Sequence, residues 1–500
     1  MLTDPPATEG AGGATMTARP DDDTNAVRPY RDLREWLDIA RELGLLKELD
    51  GAHWDLEIGA ITEIERRRRL EGSSVLLFDR IAGYPEGYRV LTNADNPIPL
   101  VARSLGLPAA RGGLAFVREW KERMKRFEPL PPARVEAGPV LENVFRGPAI
   151  DVLKFPVPRW NELDGGRYIG TDCVVITRDP EEGWVNLGTY RVQVHDRDRL
   201  GLYISPGKDG RIQMEKAFAR NERFPVAMTF GQDPLLLYAA SFHLPWGTCE
   251  YDYAGWARRA PIEVIAGPVT GLPIPAHAEI AIEGFVDPGE VQDEGPFGEF
   301  TGYYASDRRP APVVHVESLM HRNRPILTGS PMGRPPSVVF YDLITSATLW
   351  NAMEAAGVPD VRGVYVHHMA PTTMFTAISI TQRYPGHARQ AGAAAIACRG
   401  GAYMGRYYVV VDEDIDPSNI DEVIWAMATR SDPEKDIEVL RRCWSGPLDP
   451  IVPPGEKGFN SRAIIDACRP YEWRNEFPRV VESSPALRAR VLEKWGHIIG

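Results

Sequence analysis

The chain has 500 residues, of which 43% are hydrophobic and 25% are charged, and its formal net charge at pH 7 is −12. This length exceeds one ordinary hydrophobic core, so the sequence predicts two to four domains with room for a deep site. The acidic balance, without any cluster of Lys and Arg interleaved with aromatic residues, argues against nucleic acid as a partner.

The cysteines also exclude several classes of protein. There are five, spread from Cys173 to Cys468, with no Cys-x-x-Cys spacing. This pattern predicts neither a disulfide framework nor a zinc site, and it favours reduced thiols in a cytoplasmic setting. No apolar run of about twenty residues occurs, so we expect no membrane span.

The N-terminal part divides into a tail and a first domain. Residues 1–28 are rich in Pro, Gly, Thr and Asp and lack a signal-peptide pattern, which predicts a disordered tail. We expect an α/β domain over 29–130. Apolar residues at helical spacing predict its first helix from Leu33 to Leu43, with Gly44 as the C-terminal cap.

The middle of the chain is predicted to be rich in strands. Residues 131–330 contain eight short β-rich segments separated by Gly, Pro and Asp, which favour a barrel or sandwich. A helical segment at 211–224 interrupts them. Alternating helices and strands over 331–480 indicate a C-terminal α/β domain.

The last segment, 481–500, is predicted to be a helix with Ser484 as its N-cap. Leu487, Val491 and Trp495 form an apolar stripe on this helix. Such a stripe must dock on the rest of the chain or on another subunit, so we expect a homodimer or a larger homo-oligomer.

The segment EGPFGEFTGYY, residues 294–304, places Glu294 and Glu299 on either side of a turn. Pro296 and Gly298 bend the chain, so the two side chains are able to converge. Two neighbouring carboxylates repel each other when both are ionised, and the raised pKa of one of them provides a general acid. The alternative is a surface turn with two solvated glutamates.

A predicted strand at 185–196 carries Arg191 on one face together with Thr189 and Gln193, while Tyr190 belongs to the opposite, core face. An arginine that is buried in a strand requires a carboxylate partner, and its fork suits two-point pairing. The alternative is an exposed strand arginine.

A third segment, 241–255, holds His243, Glu250 and Asp252 in a loop that is crowded with aromatic residues. Carboxylate oxygens suit hard cations such as magnesium or manganese. The spacing alone does not distinguish this segment from an ordinary acidic loop. We interpret His367 and His368, on a predicted strand, as packing or surface residues.

Together these segments resemble the UbiD-type decarboxylase family, which uses prenylated FMN. The stretches EGPFGEFTGYY and NLGTYRVQVHD match its most distinctive segments, and similar stretches follow in order from Tyr30 to Gly500, including QRYPGHARQAG and IIDACRPYEW. The resemblance implies a multidomain α+β or α/β protein. Its centre would be a split β-barrel like that of flavin reductases, with an α/β segment on each side and a terminal docking helix.

The resemblance also implies the reaction. This is the reversible, non-oxidative decarboxylation of an aromatic or heteroaromatic acid, with carbon dioxide as co-product, through a covalent adduct of the prenylated FMN. A flavin prenyltransferase would supply the cofactor, and Mn²⁺ (or Mg²⁺) and K⁺ would accompany it. A fused-ring acid such as a phenazine carboxylate, a phenolic acid, and a furan or pyrrole acid all remain open as substrates.

The resemblance further implies roles for single residues. Glu294, Arg191 and Glu299 would form a catalytic network, with Glu299 as the acid-base, and Asn186 and Glu250 would bind the metal. Lys208 occupies the place of a third, histidine ligand, and a protonated lysine cannot bind a cation. The residues expected to bind the cofactor are Asn186, Gly188, Thr189, Tyr190, Arg191, Lys208, Ser241, Phe242, Glu250 and Arg406.

Segments containing Met332, Phe340, Tyr341, Tyr403 and Met404 are expected to line the substrate pocket. Two other functions remain open on the residues alone. A flavin-reductase-like, FMN-binding oxidoreductase would account for the strands but not for the paired glutamates. A non-catalytic assembly protein would account for the terminal helix but leave Arg191 without a role.

Overall fold

The computed structural model describes residues 30–68, 73–108, 113–242, 244, 246–334, 338–367 and 373–499. The predicted disordered tail at 1–28, His243 and His368 lie outside the described residues. None of the helices within those ranges combines the length and apolar character that crossing a bilayer requires.

The N-terminal part consists of short helices and strands, as the sequence predicts. Their bounds are α1 (Leu33–Glu42), β1 (Leu46–Asp50), α2 (Glu57–Arg66), β2 (Val75–Asp79), β3 (Arg89–Thr92), α3 (Ile98–Ser104), α4 (Gly113–Met124), β4 (Ala133–Arg134) and β5 (Asn143–Phe145).

Helix α1 is capped at both ends, and Gly44 is its C-terminal cap, as the sequence predicts. The side chain of Asp32 accepts hydrogen bonds from the first-turn amides. At the other end Gly44 adopts a φ of +68°, and its N–H donates to the Arg41 carbonyl at 3.0 Å while the N–H of Leu45 donates to the Ala40 carbonyl at 2.9 Å. This pair of bonds is the Schellman arrangement, in which a left-handed glycine satisfies the last carbonyls.

The central part follows. Its elements are β6 (Arg167–Gly170), β7 (Cys173–Arg178), β8 (Val185–Gly188), β9 (Arg191–Val194), β10 (Arg199–Tyr203), α5 (Asp209–Ala219), β11 (Phe224–Phe230), α6 (Pro234–Ser241), α7 (Glu250–Arg258), β12 (Glu263–Ala266), β13 (Pro273–Pro275), β14 (Ile280–Glu294), β15 (Arg309–His321) and β16 (Ile326–Gly329).

Most of these strands form one sheet in the order β6-β9-β10-β15-β14-β11-β7-β8, with β5 also paired to β15. The sheet curls into a half-barrel around an apolar core. The expectation that the eight β-rich segments together form a barrel or sandwich is met only in part, because two of them lie outside this sheet. Strand β12 pairs with β4 and β13, and β16 joins β3 in a second sheet of order β1-β2-β3-β16.

The prediction of a single strand at 185–196 is wrong, because the strand is interrupted between Gly188 and Arg191. Strand β8 pairs with β7, whereas β9 pairs with β6 and β10. The ring of Tyr190 turns inward at the break, and a Cβ added at Gly188 would lie 2.2 Å from its Cζ atom. Gly188 thus leaves room for the ring of Tyr190. Beyond the interruption, the chain continues towards the opposite edge of the curled sheet.

The C-terminal part is an α/β layer with a sheet of order β17-β18-β19-β21-β20. Strands β20 and β21 were not anticipated. The elements are α8 (Val339–Ala355), β17 (Val361–Val366), β18 (Phe375–Ile380), α9 (His387–Ala397), β19 (Tyr407–Asp412), α10 (Ile420–Arg430), β20 (Ile437–Trp444), β21 (Phe459–Ala467) and α11 (Pro485–Ile499).

Helix α11 begins as predicted, because the Leu487 N–H donates to Ser484 Oγ at 3.2 Å. Its apolar stripe of Leu487, Val491 and Trp495 is exposed.

The central and C-terminal parts of the chain share one hydrophobic core. One apolar cluster joins α4, α6 and α7 to α8 and the C-terminal sheet, so α8 links the half-barrel to the C-terminal layer.

The packing of α2 provides a first prediction. Replacing a helical glycine with alanine normally stabilises a protein by about 1 kcal/mol. At Gly59, however, the new Cβ would lie 2.0 Å from the backbone oxygen of Trp160. We therefore expect Gly59→Ala to lower the stability by about 1–3 kcal/mol, seen as a lower melting temperature.

Gly496→Ala in α11 is the matched control, because no heavy atom lies within 4 Å of its added Cβ. Its melting temperature should be unchanged or slightly higher. A rise in both variants would contradict the described contact between α2 and Trp160.

Candidate active site

Arg191 lies at the start of β9 and joins the two glutamates of the 294–304 turn. Its Nε is 2.7 Å from Glu294 Oε1 and its Nη2 is 2.8 Å from Glu294 Oε2, while Nη1 donates to Glu299 Oε1. The side chains of Arg191, Glu294 and Glu299 are 8%, 0% and 7% exposed. The glutamates therefore converge as the turn predicts, and the alternatives of a solvated turn and an exposed arginine are wrong.

Backbone contacts hold this turn in place. The Gly298 N–H donates to Asp164 Oδ1 at 3.0 Å, and the Gly295 N–H donates to Gln193 Oε1 at 3.2 Å. The Glu299 N–H donates to the Tyr303 carbonyl at 3.0 Å. Both glutamates are thus fixed from neighbouring segments and do not depend on Arg191 alone for their positions.

A second arginine, Arg309, lies beside this network and was missed by the sequence reasoning. Its Nε is 4.0 Å from Glu294 Oε2, and its guanidinium lies 3.5 Å from the ring centroid of Tyr203. Arg191 lies 5.1 Å from the same ring. Arg309 is the register partner of Glu294 across β14 and β15, so a correct strand pairing would have identified it.

The environment of Glu299 favours its protonated form. Burial is the main cause that raises the pKa of this carboxyl, and Glu294 adds a smaller contribution in the same direction. Arg191 and Arg309 lower the pKa of Glu299 and so oppose the effects of burial and of Glu294. Glu294 thus raises the pKa of Glu299 as the sequence predicts, but desolvation has the larger effect.

Arg191 and Glu299 face a cavity of about 300 Å³ between the half-barrel, the N-terminal sheet and the C-terminal layer. Five of the residues predicted to contact the cofactor line it, together with four of the predicted substrate residues. These are Thr189, Tyr190, Arg191, Lys208 and Ser241 in the first set, and Met332, Phe340, Tyr341 and Tyr403 in the second. Asp95, Asp172 and Asp342 also line it, and no motif indicated them.

Other residues that were predicted to contact the cofactor or the substrate do not line this cavity. Gly188, Phe242 and Met404 are not among its lining residues. Arg406 is held by Asp449, with Nη2 at 2.7 and 2.8 Å from the two carboxylate oxygens, and it faces a separate groove that contains Arg441 and Lys457. The structure therefore does not place Arg406 beside the cavity.

The predicted metal residues, Asn186 and Glu250, are not among the residues that line this cavity. Glu250 Oε2 accepts a hydrogen bond from the Leu187 N–H at 2.7 Å, next to Asn186. Glu250 and Asp252 lie in the first turn of α7, which corrects the predicted loop. Burial raises the pKa of Glu250 to about 8, with Asp209 and Asp252 adding to it.

Lys208 lines the cavity immediately before α5. Burial lowers the pKa of its ammonium to about 8, which the neighbouring Asp209 partly opposes. His367 packs between Tyr365 and Phe375, with Nε2 2.9 Å from the Pro417 carbonyl oxygen. Its contacts agree with the interpretation of a packing residue.

Comparison with known sequences identifies the family. Models of three domains of 3-octaprenyl-4-hydroxybenzoate carboxy-lyase (UbiD) match in order: the N-terminal domain over residues 37–120, the Rift-related domain over 133–335 and the C-terminal domain over 338–467. A phenolic acid decarboxylase of Streptomyces sp. (strain D7) is 32% identical over 93% of this chain and 97% of its own length. A pyrrole-2-carboxylic acid decarboxylase of Pseudomonas aeruginosa is 32% identical over 94% and 98%.

Solved structures agree with the sequence relatives. The vanillic acid decarboxylase of Sedimentibacter hydroxybenzoicus in its open form has a TM-score of 0.83 at 31% identity, covering 94% of this chain and 100% of that one. An evolved dimeric form of the UbiD-class enzyme HmfF from Pelotomaculum thermopropionicum, in complex with prenylated FMN, has a TM-score of 0.78 at 28% identity, covering 93% and 100%. The chain has their multidomain α+β fold with a curled half-barrel sheet, and it belongs to the UbiD family of prenylated-FMN-dependent carboxy-lyases.

Proposed function

We propose that this enzyme carries out the reversible, non-oxidative decarboxylation of an aromatic or heteroaromatic acid, with Glu299 as its acid-base. The observation that carries the proposal is the buried Arg191, which bridges Glu294 and Glu299 at the wall of a cavity. Hydride transfer requires no such pair of acids, so the network favours a decarboxylase over a flavin reductase. Relatives named for phenolic and pyrrole acids support a substrate of similar size.

The residues present fit a prenylated FMN. The cavity combines a half-buried cation, Lys208, with the hydroxyls of Thr189, Ser205 and Ser241 and with an apolar, aromatic wall. A cation and hydroxyls suit a phosphate and its linker, while the aromatic wall suits a flat ring system. When it is bound, the prenylated flavin supplies the electron sink for the charge that remains when carbon dioxide departs.

The protein supplies the charges and the proton. Arg191 orients the carboxylate of the substrate and is itself held by two bonds to Glu294. Glu299 remains ionised while carbon dioxide forms, then takes up a proton from solvent and delivers it to the carbon that carbon dioxide has left. This double role requires a pKa near the working pH, which its burial favours.

We further propose that Asn186 and Glu250 bind a divalent cation, Mn²⁺ or Mg²⁺, near the cofactor phosphate, with K⁺ nearby. Both residues offer oxygen atoms, the donors that such cations prefer. The carboxylate of Asp209 lies near enough to raise the pKa of Glu250, and we propose it in place of the missing histidine. A cation would relieve the repulsion between these two acids.

Assembly and cofactor supply belong to the same proposal. The exposed stripe on α11 supports a homodimer or larger homo-oligomer, and a flavin prenyltransferase would provide the cofactor. The division at 29–130, 131–330, 331–480 and 481–500, the likeness of the half-barrel to the split barrel of flavin reductases, and a cytoplasmic location stay predictions.

The first experiment tests cofactor and reaction together. Protein produced alongside a flavin prenyltransferase should release a molecule with the mass of prenylated FMN on denaturation, and it should liberate carbon dioxide from an aromatic acid. Glu299→Gln should keep the cofactor mass but lose turnover by at least about a hundredfold, because glutamine cannot carry the proton.

Glu162→Gln, at an exposed glutamate, is the control and should retain full turnover. Full turnover in Glu299→Gln would remove this residue from the mechanism. Release of plain FMN, together with nicotinamide-dependent activity, would favour the oxidoreductase instead.

The pH dependence provides a further prediction. Because burial raises the pKa of Glu299, the carboxyl stays protonated to a higher pH than an ordinary glutamate. The ionised form is required for loss of carbon dioxide, so kcat/KM should fall as the pH decreases through this raised pKa. Arg309 lowers the pKa of Glu299, so Arg309→Gln should move the acid limb of the profile to higher pH.

Arg308→Gln is the matched control, because Arg308 is the exposed neighbour of Arg309 in the chain. Its profile should coincide with that of the unaltered protein. An acid limb that stays in place in Arg309→Gln, or moves to lower pH, would contradict the described electrostatics of Glu299.

A further inference from the structure

Asp342, in the first turn of α8, contributes a carboxyl group to the wall of the cavity that also contains Arg191 and Glu299. It is 5% exposed. Its neighbours on the same wall, Phe340 and Tyr341, are aromatic. A carboxyl in such surroundings has lost its water without gaining a charged partner, which is unfavourable.

The carboxyl of Asp342 receives no hydrogen bond from the residues that the structure describes. Its backbone N–H donates to the Val338 carbonyl at 3.3 Å, and its backbone carbonyl accepts from Ser346 Oγ at 2.6 Å, so only the side chain remains without a partner. The titratable groups that face it are the phenols of Tyr341 and Tyr365, both neutral. Burial accordingly raises the pKa of Asp342 well above its ordinary value.

Several other buried acids of this chain are paired with an arginine. Asp95 pairs with Arg66 at 2.7 Å, Glu279 with Arg34 at 2.8 Å, and Asp449 with Arg406 at 2.7 Å. Burial and the neighbouring Asp95 raise the pKa of Asp172, on the wall of the same cavity, and Arg66 opposes them. Asp342 differs because its surroundings in the described part of the chain supply neither a cation nor a donor. This difference suggests that its partner is a ligand.

We propose that Asp342 accepts a hydrogen bond from an O–H or N–H group on the ring of the substrate and thereby selects aromatic acids that carry such a donor. This inference rests on the proposed function, in which Arg191 holds the carboxylate of the same molecule. An acid without the donor would leave the buried carboxyl unpaired, and sites of this kind reject such analogues strongly.

The test uses pairs of acids that match in shape but differ in the donor. Pyrrole-2-carboxylate and furan-2-carboxylate form one pair, and 4-hydroxybenzoate and 4-methylbenzoate form the other. Dissociation constants are measured by calorimetry on protein that holds prenylated FMN, and carbon dioxide release is measured separately. We expect the donor-bearing acid of at least one pair to bind about tenfold or more tightly.

Two variants and a control separate recognition from folding. Asp342→Leu should reduce the ratio of the dissociation constants to near one and raise the melting temperature, because a buried carboxyl without a partner is removed. Asp342→Asn, whose amide oxygen still accepts, should retain part of the preference. Thr348→Val is the control on the same helix, because Thr348 bonds only within α8 and does not line the cavity, and its ratio should be unchanged.

The outcomes also distinguish this inference from the proposed function. Equal binding within both pairs, no binding of any of the four acids, or a full preference in Asp342→Leu would overturn the role of Asp342. Release of carbon dioxide from any acid would leave the proposed function standing in each of these cases. A preference that disappears in Asp342→Leu, without carbon dioxide release from any acid, would support the role of Asp342 while counting against the proposed function.

Discussion

The burial of Arg191 between two carboxylates is the constraint on which the rest of the site depends. A cation and two anions removed from water are stable only if their hydrogen bonds are complete, and losing one partner of a buried pair costs about 3–5 kcal/mol. The half-barrel meets this requirement by bringing β9 and the end of β14 together, so that both donor edges of the guanidinium are used. Arg309 adds a second positive charge at 4.0 Å from Glu294, which brings the cluster close to neutrality.

Near-neutrality matters for the proposed mechanism, in which Glu299 changes its charge during the reaction. The two arginines stabilise its ionised form, and its burial stabilises the protonated form. Opposed influences of this kind allow a small change in surroundings, such as the departure of a substrate carboxylate, to move a proton. Asp342 is the opposite case, since burial raises its pKa and no cation among the described residues opposes this effect. In the two proposals, one cavity thus contains one carboxyl for proton transfer and another for recognition.

Local signals predicted local structure well. The cap of α1, the start of α11 and the buried face that carries Tyr190 depend on neighbours in the chain, and periodicity together with capping residues reports those directly. The convergence of Glu294 and Glu299 on Arg191 was also accessible, because the turn bends the chain and buried arginines require acids. The resemblance to a known family then connected these pieces over most of the chain.

Long-range pairing was not accessible from these signals. The break between β8 and β9 is invisible in the sequence because both halves alternate as one strand would. Arg309 could be found only from the register between β14 and β15, and the exclusion of Arg406 from the cavity depends on Asp449, which is distant in sequence. Asp342 lies in a helix whose sequence is typical of a buried core helix. That its carboxyl lacks a partner can be recognised only when the three layers are assembled around the cavity.

The break between Gly188 and Arg191 has a consequence for how the site responds to change. Asn186 lies on β8 beside Glu250, whereas Arg191 begins β9 beside the glutamates of the turn. One short stretch of backbone therefore belongs to both edges of the half-barrel and ties the oxygen atoms proposed for the cation to the acid-base network. A shift of α7 or α5 that moves one end of this stretch is therefore expected to reach the guanidinium through the backbone, which would couple the two halves of the site.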